Sequence, residues 1–526
     1  MRNLLVPLLV GLCLSGQTAS APLPETVRDA LKRAHIPLSS VGIVVQKADA
    51  RTPLLSQNAR QPMNPASTMK LLTTFAALET LGPAYRWKTE VYLDGVLENG
   101  VLQGDLVFKG YGDPKLSIEQ FWLWLRELRQ RGLREIRGDI VLDCSFFETG
   151  NQDPAEFDND PTRAYNVGPN ALLLNFNALR LRLVPNATQP NAMLEPDLSG
   201  YVISNRIKTM PKQPCGGDTY TARLEERSIV LEGTIPGDCG ELEEYFSLLP
   251  HGDYFFAVFS SLWKELGGTL QGKLRVGNAP ANQAAFSAHI SPQLSEVIRD
   301  INKFSNNTMA RHLFLTLGTI MPESTITNSS QPPVLQSQSP IPMADFPISD
   351  TSKSGNQLFD QPDMVPARLD TGGAPSVEGQ PPRCEPSATI ARSTAAIQQW
   401  LNSRQLQFPE LVLENGSGLS RAERISPQSL AELLQHATRS PFSAELVASL
   451  PILGMDGTMK RRFKDNEIAG YAHLKSGMLD GVKSMAGYVQ AQSGEQWIVV
   501  FIINHHNAKY GQAAQDALVE WLQKQH

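Results

Sequence analysis

Cysteine is scarce in this chain, five in 526 residues, and no two form a C-x-x-C pair of the kind that seeds zinc or redox sites. Neither sign of charge dominates: the formal net charge is −6 and no basic stripe is present to neutralise phosphates, which excludes nucleic acid as a partner. Beyond the N-terminus no stretch approaches the roughly 20 uninterrupted apolar residues of a membrane span. There is no H-E-x-x-H, the adjacent His505 and His506 at a predicted strand end would point to opposite faces, and "KGYGDPKL" lacks the spacing of a dinucleotide loop. Neither a metal nor an organic cofactor is expected.

What the chain does have begins with "MRNLLVPLLVGLCLSGQTASA", a basic residue, an apolar run and then Ala19 and Ala21 in an A-x-A arrangement. This reads as a cleavable secretory leader over 1–21. Cys13 follows Leu12 rather than the small residue a lipoprotein site requires, so a soluble exported protein is expected. Among Cys144, Cys215, Cys239 and Cys384, the pair Cys215 and Cys239 is the best disulfide candidate, since each sits in a Gly-rich turn ("PCGG", "GDCG"). The remaining length is too great for one ordinary core and predicts several domains.

Along the chain, "PETVRDALKRAH" reads as a helix, and "VGIVVQ" and "TPLLSQN" as two strands. Residues 65–82 keep apolar positions at helical spacing (Met69, Leu72, Phe75, Leu78, Leu81) and stop at Gly82-Pro83. From about 85 the texture becomes strand-like, with hairpin signals at Asp94-Gly95 and Asn99-Gly100. A helix with a core-facing stripe of Phe121, Trp122, Leu125 and Leu128 follows, then short strands to about 280. Residues 86–286 thus read as an inserted, mostly β, α+β region of two subdomains divided near 180. Twelve of residues 321–386 are proline, which predicts a disordered insertion. The last hundred residues run strand, strand, strand, helix with short turns, an antiparallel sheet. Terminal helices would cover one face of it and the two early strands would complete it. The expected class is α/β (α+β), with a discontinuous domain of 22–85 and 287–526 around the insertion.

Ser67 and Lys70 stand three apart at the start of the helix in "NPASTMKLLTTFAALETLG", where they share a face. A serine hydroxyl needs an adjacent base, and a lysine serves only if burial or a nearby cation lowers its pKa. The helix N-terminus also offers a backbone N–H to a developing oxyanion. The pair alone is weak, because on the order of one or two S-x-x-K matches arise by chance in such a chain, and a Ser cap with a solvated Lys is the plainer reading. "FSNNTMARHLF" places Ser305 and Asn307 at a helix entry, where capping again competes. "HLKSGM" places Lys475, Ser476 and Gly477 on a strand: the glycine admits a ligand backbone and the Lys and Ser grip a carboxylate, against an edge-strand lysine that deters aggregation.

Order decides among these readings. Ser-x-x-Lys, Ser-x-Asn and Lys-Ser/Thr-Gly, on helix, helix-entry loop and strand in that sequence, form the signature of penicillin-binding proteins and serine β-lactamases. Together with the long spacing between the first two motifs, "NALLLNFN", "NGSGLSR" and "LPILGMDGTMKRRF", the chain resembles the D-alanyl-D-alanine carboxypeptidase/endopeptidase family of low-molecular-mass class C penicillin-binding proteins, peptidase family S13. The resemblance covers nearly the whole mature chain except the Pro-rich stretch. It implies a penicillin-binding-protein/β-lactamase-like fold, with Ser67 as the acylated nucleophile, Lys70 as base, Ser305 as proton relay and Asn307 holding the substrate amide. Lys475 and Ser476 would bind the terminal carboxylate, and the N–H groups of Ser67 and Met478 would form the oxyanion hole. It also implies peptidoglycan peptides as substrate, β-lactams as covalent inhibitors, a periplasmic location and compatibility with a homodimer. Asp160, in "FDNDPTRAY", is the nominee for an acidic residue meeting the stem diamino acid, though a turn Asp before Pro161 explains it equally well. A serine β-lactamase and a non-catalytic wall-binding scaffold are the competing readings.

Overall fold

The computed structural model describes residues 21–525 apart from Asn151, 212–213, 216–218 and 321–387. Residues 1–20 of the expected 1–21 leader, Cys384 and the proline-rich stretch lie outside the described residues. The centre of the fold is a five-stranded antiparallel sheet made from both ends of the chain. Its strands are β1 (Val41–Lys47), β2 (Leu55–Gln57), β3 (Ala472–Leu479), β4 (Val482–Gln490) and β5 (Gln496–Asn504), in the order β3-β4-β5-β1-β2.

Both faces of this sheet are buried, which is why "WIVVFII" is apolar at every position rather than at alternate ones. Trp497, Val499, Phe501 and Ile503 point to one side with Ile43 and Val45. There they pack on helices α1 (Glu25–Arg33) and α6 (Gln512–Gln523), through Val27, Leu31, Leu518 and Leu522. Ile498, Val500 and Ile502 point the other way with Val44 and Ala486. They meet a helical layer of α2 (Lys70–Leu81), α3 (Leu294–Lys303), α4 (Asn307–Gly318) and α5 (Pro427–Thr438).

The predicted helix over 65–82 forms as a 3₁₀ turn at Ala66–Met69 that runs directly into α2. Gly82, with φ +79°, ends it and returns its N–H to the Leu78 carbonyl. A residue without a Cβ takes that left-handed angle at little cost. The helix is buried on nearly all sides, so Lys70, Thr73 and Thr74 are core residues despite their polarity.

Residues 88–290 carry a seven-stranded mixed sheet and two three-stranded sheets; the last strand of the large sheet, Ser287–Ile290, lies just past the expected boundary at 286 and pairs with residues 88–91. Most of their buried apolar side chains, from Val91 to Trp263, make one cluster, and Tyr92, Val107 and Val141 form a smaller one. Cys215 and Cys239 form a disulfide, and Cys144 is a free thiol. Two local expectations fail. Asn99-Gly100 is the hairpin turn, but Asp94-Gly95 lies inside the strand Lys88–Glu98. Gly95 pairs with Gly104 across the ladder so closely that a Cβ on either would lie within 2.4 Å of partner backbone. The signal thus marked a close approach of two backbones, not a turn. In the helix Ile118–Gln130, Trp124 is buried in the cluster in place of Trp122, whose indole N–H reaches out to Glu265 (3.1 Å).

Candidate active site

Ser67 sits in the 3₁₀ turn and Lys70 opens α2, so the three-residue spacing stacks them, and Lys70 Nζ lies 3.0 Å from Ser67 Oγ. The turn is held from several sides. Ala66 has φ +46°, a strained angle for a residue with a Cβ. Its N–H donates to Asn64 Oδ1 (2.9 Å), while Asn64 and Asn504 exchange backbone-to-amide bonds of 2.8 and 3.0 Å. Ser484 Oγ donates to the Pro65 carbonyl at 2.5 Å. Two glycines allow backbone to press against the same turn: a Cβ at Gly418 would lie 1.9 Å from the Ala66 carbonyl oxygen, and one at Gly477 would lie 2.7 Å from the Ser67 nitrogen. The geometry at Ser67 is thus set by the sheet and by the 416–418 loop together.

Lys70 is fully buried. Besides Ser67 it reaches Asn307 Oδ1 (2.7 Å) and the Ser417 carbonyl. Burial holds its pKa well below the ordinary amine value, and the charges of Lys475 and Arg311 push the same way against the opposing pull of Glu423. Glu423 is itself fully buried and accepts the N–H groups of Glu414, Asn415 and Gly416 at 3.2, 3.0 and 2.8 Å. It thereby shapes the loop that presents the Ser417 carbonyl to Lys70.

Ser305 and Asn307 are not caps. The N-cap of α4 is Asn306, whose side chain accepts from the Met309 N–H (2.9 Å), and this leaves its two neighbours to face the site. Ser305 adopts φ +59° and its hydroxyl accepts from Lys475 Nζ at 2.9 Å. Asn307 holds Lys70 and Ser305 holds Lys475, so the second motif ties the first to the third. Lys475 Nζ also donates to the Ser476 carbonyl (2.8 Å), and Ser476 Oγ donates to Thr458 Oγ1 (2.8 Å). Met478 follows Gly477 on β3 with its side chain exposed.

Burial pushes the Lys475 amine down to about 7. Its folded pKa is below its unfolded one, so between the two the unfolded chain binds more protons and raising the pH stabilises the fold. The gain in melting temperature from about pH 7 to about pH 9.5 is expected to be larger in the wild type than in Lys475→Met, as read by paired thermal melts.

A cavity of about 480 Å³ flanks the 414–422 loop. Asp153, Glu156, Phe157, Arg311 and Arg421 line it, with the Arg421 guanidinium 4.7 Å from the Phe157 ring centre. Asp160 is placed elsewhere. Its carboxylate accepts the N–H and hydroxyl of Thr162 (3.2 and 2.7 Å) and the guanidinium of Arg163 (2.8 Å), the local turn that a residue before Pro161 favours. Sequence reading missed Ser417, Glu423, Arg311 and Thr458. The segments "NGSGLSR" and "LPILGMDGTMKRRF", noticed for their resemblance alone, held two of them.

Comparisons with known proteins point one way. The chain is 25% identical over 495 residues to the D-alanyl-D-alanine carboxypeptidase of Actinomadura sp. (strain R39), covering 91% of this chain and 80% of the relative. It is 22% identical over 484 residues to the D-alanyl-D-alanine carboxypeptidase DacB of Haemophilus influenzae, covering 89% and 86%. Penicillin binding protein 4 (dacB) from Haemophilus influenzae shares the fold, with a TM-score of 0.70 at 20% identity over 95% of this chain and 99% of that one. A family model matches residues 23–352 and 383–525 and passes over only part of the proline-rich stretch between them, and by that match the chain belongs to the D-Ala-D-Ala carboxypeptidase 3 (S13) family.

Proposed function

We propose that this serine DD-peptidase acts on the D-Ala-D-Ala ends, and the D-Ala cross-links, of peptidoglycan stem peptides through an acyl-enzyme on Ser67. The observation that carries the reading is the pair of buried lysines, Lys70 at the Ser67 hydroxyl and Lys475 at the Ser305 hydroxyl, each bonded to the second motif. A neutral Lys70 has two N–H bonds and one lone pair. The carbonyl oxygens of Asn307 and Ser417 take the two N–H bonds, which leaves the lone pair for the Ser67 hydroxyl.

Ser67 Oγ then bonds to the scissile carbonyl carbon as Lys70 takes its proton, and the N–H groups of Ser67 and Met478 receive the oxyanion. The C–N bond breaks as the leaving amine gains a proton through the Ser305 hydroxyl, which Lys475 holds. Water then attacks the ester, returning the proton to Ser67 and releasing the shortened peptide. Lys475 and Ser476 bind the carboxylate beside the scissile bond, and β-lactams acylate the same serine. The acidic side chains Asp153 and Glu156 lie in the cavity beside the loop and suit a cationic stem-peptide amine better than Asp160, which is paired with Arg163. The leader-like N-terminus supports a periplasmic site of action.

Digestion of purified cross-linked and uncross-linked muropeptides, with products weighed by mass spectrometry, tests this. Loss of one alanine or cleavage of the cross-link is expected. Intact peptides, or rapid steady hydrolysis of nitrocefin in place of stable acylation, would overturn it.

A further inference from the structure

We infer that Thr458 is a second hydroxyl donor to the substrate carboxylate, paired with Ser476, and so a specificity-determining residue of the cleft. The inference rests on the reading that Ser67 is acylated and that the carboxylate lies at Lys475 and Ser476.

Thr458 lies outside the three motifs, 18 residues before Ser476, and is held at the cleft by a chain of contacts. Leu453 donates its N–H to the Ala472 carbonyl (2.9 Å) and Leu474 donates its own to the Pro451 carbonyl (2.9 Å), so this segment runs along the outer edge of β3. Among the described residues that pairing ends at Leu474, one position before Lys475. The chain then turns away through Asp456, which accepts the Ile452 N–H on Oδ1 (2.7 Å) and the Lys303 ammonium on Oδ2 (2.6 Å). Lys303 is buried and also donates to the Leu450 carbonyl (2.9 Å). Gly457 follows with φ +54°, so close to α3 that a Cβ would lie 2.6 Å from the Lys303 carbonyl oxygen. Met459 locks the far side of the turn in the core. Lys303 stands two residues before Ser305, so one short stretch fixes both Thr458 and the hydroxyl that Lys475 holds.

The result is two hydroxyls 2.8 Å apart at the mouth of the site, above a buried lysine. Thr458 is exposed, so its hydroxyl is accessible to ligand. In the free protein Ser476 donates to Thr458; when a carboxylate arrives each hydroxyl turns its proton to one carboxylate oxygen, with the Lys475 charge behind them. A single hydroxyl leaves one of those oxygens without a hydroxyl donor.

The test uses the full-length protein and two peptides, one ending in D-Ala-D-Ala and the same peptide amidated at its C-terminus. The ratio of kcat/KM for acid over amide is expected to fall by about tenfold or more in Thr458→Val, the loss of one hydrogen bond to a charged group, through KM rather than kcat. Thr458→Ser restores the ratio. End-point labelling of Ser67 by fluorescent penicillin runs in parallel. A labelled Thr458→Val protein with an unchanged ratio overturns this inference alone, as does a Ser variant that behaves like Val. A wild-type protein that takes no label at Ser67 overturns the underlying reading with it.

Discussion

Ser67→Ala is expected to take no fluorescent penicillin and to release no D-alanine above background, a loss on the order of 10⁴ to 10⁶ in kcat. The substitution removes one oxygen and nothing that supports the turn. Ala66 remains pinned by Asn64, and Pro65 by Ser484. Lys70 keeps its bonds to Asn307 and Ser417. The variant is therefore expected to melt within a few degrees of the wild type, so inactivity reports missing chemistry rather than missing structure. Residual turnover near the wild-type rate, measured by mass release of alanine, would mean another group is acylated and would refute the assignment.

Lys70→Met should lower the rate of penicillin acylation by roughly 10² to 10⁴, the range for loss of a general base. Its pH profile separates this from a packing defect. Lys70 works as base only when neutral, so the ascending limb of kcat/KM in the wild type follows its lowered pKa. Lys475 binds carboxylate only when charged, so the descending limb begins near its value of about 7. The methionine variant should lose the ascending limb and keep the descending one. A variant that retains both limbs would assign the base to a different group.

Much of this site was legible before the fold was known, because two of its motifs depend on short-range periodicity. A three-residue spacing stacks Ser67 on Lys70 in any helical turn, and alternation along β3 sends Lys475 inward and Ser476 to the cleft. The remainder depends on contacts that no helical or strand period fixes. Nothing near Glu423 marks it as the acceptor of three backbone N–H groups, and nothing near Thr458 pairs it with Ser476. The choice between cap and functional residue at 305–307 turned on which of two adjacent asparagines caps α4, and a rotation of one residue settles that only in three dimensions. Asp94-Gly95 misled for a related reason, since glycine serves a turn and a close backbone contact alike.

The central sheet has a consequence for when the enzyme becomes active. Ser67 is translated within the first seventy residues, but the amide that clamps Asn64 beside it is Asn504, at the end of β5. Until the ribosome has finished β5, Asn64, which pins the strained Ala66, lacks its own clamp, and Ser67 is an ordinary hydroxyl on a nascent chain. A wall-cutting enzyme assembled in this order stays inert through synthesis and gains its reactivity only on closure of the sheet.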